Sequence, residues 1–233
     1  MMRMRNVLLV TAITAFATLS FIGGRSLTPA TSAQAPTAVA TKKVSYIPIS
    51  GGDYKIDPAH STIGFAIRHY EINWVEGRFK DFTGSINYDE KDVTKSTVEF
   101  TAKIESVDTG VAPRDKHLRT ADFFEAEKYP ELTFKSTGIE RKGKDKYVLN
   151  GDLTLKGVMK PVALPFTITG AISDPRGNTR FGIDAHTKIN RRDFGINYGS
   201  ALAGGGFDVG NEVTINLQLE AVKPGPKPAA SSK

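Results

Sequence analysis

The sequence contains no cysteine. Disulfide bonds, thiolate nucleophiles, cysteine-ligated zinc and iron–sulfur clusters are therefore excluded. A lipid anchor attached to an N-terminal cysteine is excluded for the same reason. A chain of 233 residues can bury a full core without disulfides, so the lack of cysteine is compatible with export to an oxidising compartment.

Outside its first 33 residues, the chain has nearly equal numbers of basic and acidic side chains. The formal net charge is +6, and residues 1–33 contribute three arginines and no acidic group to it. Removing those three leaves 28 of the 31 basic groups against 25 acidic groups, a net charge of +3. A balance this even gives no general attraction for polyanions, so we expect no nucleic acid partner.

Catalytic and metal-binding motifs are missing as well. The four histidines, His60, His69, His117 and His186, form no His-Glu-x-x-His pair. The chain has no Gly-x-Ser-x-Gly elbow, and residues 138–145 approach a phosphate-binding loop but lack the Ser or Thr after the lysine. We therefore expect no catalytic residue, no cofactor and no metal, although a metal site built from distant histidines stays open as a minor alternative. We interpret the protein as a non-enzyme.

The N-terminus has the order of regions that is typical of a secretory signal peptide. Two arginines lie within residues 1–5, an uncharged apolar stretch covers residues 7–22, and small residues at 31–33 suit a cleavage site. We predict a signal peptide over residues 1–33 and a periplasmic or secreted protein. An uncleaved N-terminal anchor is the alternative, and it would change tethering but not compartment.

The composition on either side of the centre predicts one folded domain. Residues 34–51 are rich in Ala, Thr, Pro and Ser without any period, which indicates a flexible linker. Residues 224–233 have a similar composition and are predicted to be a disordered tail. The folded domain is then expected over residues 52–223.

Within that domain, apolar and polar residues alternate with the period of a β-strand. The pattern is clearest over residues 97–104, 147–156, 162–169 and 213–221. Weaker versions lie at residues 54–56, 62–69, 78–88, 131–140 and 179–189. Turn sequences at residues 142–145, 156–157 and 174–178 join consecutive runs as antiparallel hairpins. About eight such strands must either close into a barrel or pack as two sheets.

Residues 114–129 break the alternation and contain many helix formers, so we predict a short helical segment there. Its first part is basic, with Arg114, His117 and Arg119 shortly before Phe123 and Phe124. A basic turn beside two aromatic rings suits an amphiphile with an anionic head group. A solvated helix face, with the two phenylalanines in the core, explains the pattern equally well.

Four blocks of sequence resemble the YceI-like polyisoprenoid-binding family, and the resemblance covers residues 54–222. The blocks are residues 56–61 (IDPAHS), 115–124 (DKHLRTADFF), 151–157 (GDLTLKG) and 189–195 (INRRDFG). Met159 stands where the family usually has a threonine before Lys-Pro. The resemblance implies an all-β fold, an antiparallel eight-stranded lipocalin-like barrel with a long apolar cavity. It also implies binding of a long-chain isoprenoid lipid, of the polyprenyl phosphate or quinone type.

The strand pattern and the resemblance together select candidate site residues. We expect the apolar cavity to be lined by Phe65, Ile67, Phe79, Phe100, Ile104, Phe123, Phe124, Phe134, Leu153, Phe166 and Phe181. As a hypothesis, a head group lies near Arg114, His117, Arg119 and Arg191. A lipid-binding protein is expected to make transient contact with a membrane surface, and a homodimer stays open.

Two other functions remain as alternatives. One is a structural β-sandwich or barrel filled by its own side chains, which would bind no ligand. The other is a hydrolase or isomerase that acts on a bound lipid, although no catalytic group for it is visible in the sequence.

Overall fold

The computed structural model describes residues 44–225. The predicted signal peptide, residues 34–43 of the predicted linker and residues 226–233 of the predicted tail lie outside the described residues. In the part that is described, no helix has both the length and the apolar character needed to span a membrane.

The described chain is built from eleven strand segments and one short α-helix. The first strands are β1 (Gly52–Ile56), β2 (Thr62–His69), β3 (Asn73–Phe79), β4 (Phe82–Tyr88), β5 (Thr97–Lys103) and β6 (Val107–Asp108). The helix α1 (Ala112–Leu118) follows. The later strands are β7 (Glu131–Gly143), β8 (Lys146–Leu155), β9 (Val158–Ser173), β10 (Thr179–Asn190) and β11 (Val209–Lys223).

Eight of these segments close into an antiparallel ring. Its order is β1-β4-β5-β7-β8-β9-β10-β11, and the pairs Lys55↔Val222 and Ile56↔Ala221 join β11 back to β1. The closed eight-stranded antiparallel barrel is therefore confirmed.

The three remaining segments lengthen the barrel wall at one end. β2 pairs with the first half of β11, β3 pairs with β2, and β6 pairs with β3. Along the chain, β1 with β2, β3 with β4, and β5 with β6 thus form three long strands that are each interrupted once. The first interruption contains Pro58, which has no N–H to donate to a sheet.

Short turns fix the register of the later hairpins. Lys156 and Gly157 both have positive φ angles, 49° and 74°, and join β8 to β9 through the pair Leu155↔Val158. Two consecutive positive φ angles give the turn whose twist matches that of antiparallel strands.

The helical segment is shorter than the sequence predicted. Pro113 lies in the first turn of α1, where a missing N–H is harmless, and α1 ends at Leu118. Residues 119–129 continue as hydrogen-bonded turns, for example Phe124 N to Leu118 O at 3.0 Å and Tyr129 N to Glu125 O at 2.9 Å. Helix and turns cross the end of the barrel that lies between β6 and β7.

At the opposite end, aromatic rings pack inside the barrel. The ring centroids of Tyr54 and Phe181 are 4.8 Å apart, and those of Tyr88 and Phe181 are 5.7 Å apart. Tyr54 is fully buried, and its hydroxyl donates to Ser50 O at 2.8 Å. We call Tyr54, Tyr88 and Phe181 the aromatic floor.

The chain just before β1 contacts the outer wall of the barrel. Ile47 N donates to Ala171 O in β9 at 2.9 Å, and the Tyr46 ring lies across Gly170. Residues 44–51, the last part of the predicted linker, are therefore in contact with the domain.

Candidate functional site

Above the aromatic floor the barrel encloses a cavity of about 440 Å³. Every strand of the closed ring contributes side chains to its lining, and most of the lining residues are apolar. The volume falls in the range of typical ligand sites, and a void this large is unusual in a packed core. The interior of the barrel is therefore hollow in its middle and filled at its floor.

The cavity is elongated along the strands. On β11 the lining residues run from Val209 to Leu219, ten residues apart. At about 3.3 Å per residue this is roughly 33 Å along the strand. A strand tilt of 35–45° reduces it to roughly 25 Å along the barrel axis. The space suits a long, narrow apolar molecule better than a compact one.

Most of the candidate lining residues face this cavity. Ten of the eleven lie along it, namely Phe65, Ile67, Phe79, Phe100, Phe123, Phe124, Phe134, Leu153, Phe166 and Phe181. Phe79 is in ring contact with both Phe65 and Phe124, at centroid distances of 5.8 and 5.9 Å. The segment after α1 thus closes over the strands through aromatic packing.

Ile104 is the exception and does not line the cavity. The regular strand β5 ends at Lys103, and Ile104 begins a 3₁₀ turn whose first N–H donates to Pro130 O at 2.8 Å. The alternation that placed residues 98, 100 and 102 no longer applies once the backbone leaves the strand. Ile104 is instead packed in the core, with only 1% of its surface exposed.

Arg114 lies on α1, lines the cavity and is partly exposed to solvent. Its Nε donates to Thr109 Oγ1 at 2.7 Å and its Nη2 donates to Thr109 O at 2.9 Å. Asp115 accepts from Thr109 N and Thr109 Oγ1, which fixes that threonine in place. No carboxylate of the described residues forms an ion pair with Arg114.

His117 lies one turn further along α1 and also lines the cavity. Its Nε2 is 2.8 Å from Asp122 Oδ2, and its ring meets Phe123 and Tyr198 edge to face at 5.1 and 4.9 Å. Arg114 and His117 are partly exposed and Tyr198 is 42% exposed, so solvent reaches the cavity lining here. We call this part of the lining, formed by Arg114, His117 and Tyr198, the mouth.

Arg119 does not reach the cavity, so its expected place near the head group is corrected. Its Nε donates to Glu105 O at 3.0 Å and its Nη2 donates to Val107 O at 3.2 Å. It also forms an ion pair with the Glu105 carboxylate at 3.0 Å. Because α1 ends at Leu118, Arg119 points to the junction of β5 and β6 and holds that junction together.

Arg191 is buried in the cavity wall, with 3% of its surface exposed. Its guanidinium donates to three backbone carbonyls, those of Gly210 at 2.7 Å, Ile196 at 2.8 Å and Val209 at 2.9 Å. No ion pair with a carboxylate offsets its charge among residues 44–225. Burial, with a smaller contribution from Arg192, lowers the pKa of Arg191, but an arginine stays charged at neutral pH.

Several lining residues were not selected from the sequence. Tyr198 comes from a loop without periodicity, and nothing in its surroundings in the sequence marks it. Val75 lies on β3, whose alternation of Val75, Gly77 and Phe79 could have been recognised. The aliphatic residues on one face of β11 also line the cavity, and their period-2 spacing is the sequence signal that identifies them. They are Val213, Ile215, Leu217 and Leu219.

One group of metal-ligating side chains lies outside the cavity. Possible ligand atoms of Asp57, His60 and Glu220 lie within 4.8 Å of one another. Arg180 already donates to both carboxylates of this group, at 3.1 Å for Asp57 and at shorter range for Glu220. A guanidinium therefore supplies the positive charge there, and we assign no metal to the group.

A closed antiparallel barrel around an elongated apolar cavity defines a class of small cavity-containing β-barrels. Residues 54–221 match the family described as YceI-like domain, and the chain belongs to that family. Its sequence is 49% identical over 144 residues to a UPF0312 protein of Photorhabdus laumondii, covering 61% of this chain and 74% of that one. It is 46% identical over 146 residues to Protein YceI of Escherichia coli O157:H7, covering 62% of this chain and 76% of that one.

Solved structures share the fold. BcnA of Burkholderia cenocepacia is 27% identical with a TM-score of 0.62, over 71% of this chain and 98% of that one. The YCEI protein of Campylobacter jejuni is 32% identical with a TM-score of 0.57, over 72% and 95% of the two chains. A structure described as a polyisoprenoid binding domain from Saccharophagus degradans has a TM-score of 0.53 over 74% and 98%, and at 14% identity it supports the fold alone.

Proposed function

We propose that the barrel binds one long-chain isoprenoid lipid in its cavity and carries or stores it without changing it chemically. The observation that carries this proposal is the elongated, almost wholly apolar cavity, which extends along β11 from Val209 to Leu219. The Saccharophagus degradans structure, which shares this fold, is described as a polyisoprenoid binding domain, and we extend that ligand class to this chain as part of the proposal. We place this activity in the periplasm or outside the cell, on the strength of the predicted signal peptide.

Burial of the prenyl chain supplies the affinity. Each isoprene unit has five carbons, and at about 0.8 kcal/mol per buried methylene it contributes about 3–4 kcal/mol before any losses. Ordering a flexible chain offsets much of this gain. Because the hydrophobic effect has no direction, chain length should matter more to affinity than the detailed chemistry of the chain.

The head group is proposed to lie at the mouth, near Arg114, His117 and Arg191. Arg114 and Arg191 line the cavity and have no carboxylate partner within residues 44–225, so an anionic head group would gain charge-assisted hydrogen bonds or a favourable field there. This favours a prenyl phosphate over a quinone, which is neutral and can only accept hydrogen bonds.

Native mass spectrometry of protein purified from the cell envelope tests the ligand class. We expect a bound species whose extracted mass corresponds to a long prenyl chain. Added long-chain prenyl phosphate should raise the thermal unfolding midpoint, whereas a short prenyl phosphate should leave it unchanged. If neither a bound lipid nor selective stabilisation is found, the barrel does not bind isoprenoids.

A pair of arginine variants tests the position of the head group. Arg114→Gln should weaken prenyl phosphate binding about tenfold, and should leave binding of the uncharged prenyl alcohol nearly unchanged. Arg119→Gln is the matched control on the same segment, because Arg119 does not line the cavity. If both variants weakened prenyl phosphate binding equally, the proposed position of the head group at the mouth would be wrong.

Incubation of purified protein with a polyprenyl diphosphate separates binding from catalysis. We expect the lipid to be recovered intact and no inorganic phosphate to be released. Multiple turnovers would show that the protein is an enzyme that acts on a lipid bound in the same cavity, and not a carrier.

A further inference from the structure

We propose that the hairpin joining β2 and β3 docks on the surface of a phospholipid bilayer and holds the mouth of the cavity against it. We call residues 70–74 the hairpin tip. This inference rests on the proposed function, because a protein that exchanges a membrane lipid must bring its opening to the membrane.

The hairpin tip exposes large apolar side chains close together. Ile72 is 82% exposed, Tyr70 is 49% exposed and Trp74 is 41% exposed. Single apolar residues on a surface are ordinary, but three within five residues at one projecting turn form a patch. Water solvates such a patch poorly, whereas the interface of a bilayer accommodates it.

Two residues of the tip have a backbone conformation that their side chains disfavour. Tyr70 and Glu71 have φ angles of 50° and 61°, and Ile72 N donates to His69 O at 3.1 Å to close the turn. Gly and Asn are the residues that favour such positions, and a bulky aromatic residue disfavours them. The Tyr70 ring packs edge to face on the His69 ring, with the centroids 4.5 Å apart, and it stays 49% exposed.

A second loop fixes the tip in this strained conformation. Tyr70 N donates to Asp208 O at 2.8 Å, and Glu71 Oε1 accepts from Phe207 N at 3.2 Å. These two hydrogen bonds tie the tip to the loop that precedes β11.

The chemistry of the tip suits phospholipid head groups. The Arg68 guanidinium lies 4.4 Å from the Trp74 ring centroid, and that of Arg192 lies 4.8 Å from the ring of Phe207. Aromatic rings concentrate at the level of lipid head groups, and a guanidinium binds phosphate oxygens well. Two arginine–aromatic pairs around an exposed isoleucine thus complement an anionic, amphipathic surface.

The tip is also continuous with the cavity. His69 and Val75 flank it on β2 and β3, and both line the cavity. A lipid that leaves the bilayer beside the tip would therefore meet the cavity at His69 and Val75.

The chain contains a single tryptophan, Trp74, so its fluorescence reports on the tip alone. We would mix the full chain with vesicles of phosphatidylcholine and phosphatidylglycerol, with and without brominated acyl chains. We expect a blue shift of the emission and its quenching by the brominated lipid. Emission that stays unchanged while the protein sediments with the vesicles would overturn the proposal.

Ile72→Ser should lower the partition of the protein onto these vesicles about tenfold, as expected for losing the burial of one isoleucine. Ile172→Ser is the matched control, because Ile172 is also exposed, at 40%, and lies on β9 far from the tip. Residues 7–22 are apolar and can add their own membrane affinity, so only variants of the same full chain are compared. Loss of binding in Ile172→Ser, or none in Ile72→Ser, would overturn the proposal.

Failure of the docking proposal and failure of the proposed function give different results. Ile72→Ser should keep the thermal stabilisation by prenyl phosphate added without vesicles, and should slow its transfer between donor and acceptor vesicles. If prenyl phosphate stabilises neither the wild-type protein nor the variants, the proposal of isoprenoid binding is wrong. The quenching of Trp74 by brominated lipid would then still test docking independently.

Discussion

Arg180 and Arg191 illustrate how the surroundings of one side chain decide its use. On the outside of the barrel, Arg180 forms ion pairs with the carboxylates of Asp57, Asp174 and Glu220. These contacts join the end of β1 to the β9–β10 hairpin and to β11. In the cavity wall, Arg191 donates to backbone carbonyls and keeps its charge unpaired among the described residues. The first arginine stabilises the fold, and the second shapes the electric field in the cavity.

The Arg180 cluster predicts how stability depends on pH. The Arg180 guanidinium holds the pKa of Asp174 well below its usual 3.8, and hydrogen bonding to His60 lowers the pKa of Asp57. A carboxylate with a lowered pKa stabilises the fold above its unfolded value, and this stability is lost as pH falls through the folded value. The thermal unfolding midpoint should therefore fall steeply below about pH 4, measured by circular dichroism.

The variant Arg180→Gln isolates this effect. We expect a lower midpoint by a few degrees at neutral pH, and a shallower decline in acid. Lys188→Gln is the control, because it removes an exposed ion pair with Glu212 that should contribute little. An unchanged acid decline in Arg180→Gln would show that other carboxylates control acid unfolding.

His60 contributes in the opposite direction. The hydrogen bond to Asp57 raises the pKa of His60, so its contribution is complete below its ordinary value of 6.5 and is lost as pH rises through the raised value. His60→Gln should therefore flatten a small decline in stability between neutral and mildly alkaline pH.

At the scale of single strands, the spacing of apolar residues predicted most of the barrel. The predicted run 213–221 lies within β11, and the runs 147–156 and 162–169 fall on β8 and β9. Period-2 alternation succeeds there because one face of each strand lines the interior along its whole length.

The same spacing fails where a strand is interrupted. The predicted strand 78–88 is divided by Lys80 and Asp81, and the first half of β3 was missed. Ile104 was placed in the cavity by the same rule, although the strand ends one residue before it. At the interruption, Lys80 N donates to Ser106 O at 3.2 Å and Lys103 N donates to Asp81 O at 2.9 Å, so the interruptions of two neighbouring strands lie side by side. These partners are distant in sequence, and the local spacing of apolar residues therefore does not reveal them.

A glycine on β3 gives the cavity wall its shape. A Cβ on Gly77 would collide with the ring of Phe65, and would lie 2.8 Å from Thr109 Cγ2. The Phe65 ring therefore occupies the space on β3 that a side chain at position 77 would need. We expect Gly77→Ala to push this ring inward, to destabilise the protein by about 1–3 kcal/mol and to weaken prenyl phosphate binding.

Two variants control this prediction. Gly138→Ala adds the same methyl group on β7 where nothing lies within 4 Å, and should leave ligand binding unchanged. Combining Gly77→Ala with Phe65→Leu should restore binding, because the smaller side chain gives the methyl group room. Calorimetric titration would measure binding, and failure of the double variant to recover it would show that Gly77 acts on the backbone.

For the molecule as a whole, the packing that stabilises the fold and the space that a ligand needs compete for the same interior of the barrel. The aromatic floor and the side chains around Ile104 are packed as in an ordinary core, while the middle of the barrel is left hollow. The empty middle forgoes packing contacts that a filled core would make. Selection for stability alone would fill it, so we expect substitutions that fill the cavity to keep the fold and to remove the ligand.

Ala185 offers the most direct test of this competition. It lies on β10 between its strand partners Phe166 and Leu217. Only 4% of its surface is exposed, and it lines the cavity. Ala185→Phe should place a ring in the middle of the cavity, keep or raise the thermal midpoint, and weaken binding of the longest prenyl phosphates at least tenfold, about 1.4 kcal/mol. Short prenyl chains that end before this point should be affected less, so the variant should shift the preferred chain length downward.

His186→Phe is the control, because it places a phenylalanine at the next position of β10, whose side chain faces outward. Its binding of long prenyl phosphates should equal that of the wild type. Both variants place a phenylalanine on the same strand, so a difference in binding between them reports on which face of β10 the ring occupies. Equal binding by both would mean that the ligand lies outside the barrel, and that the hollow interior serves another purpose.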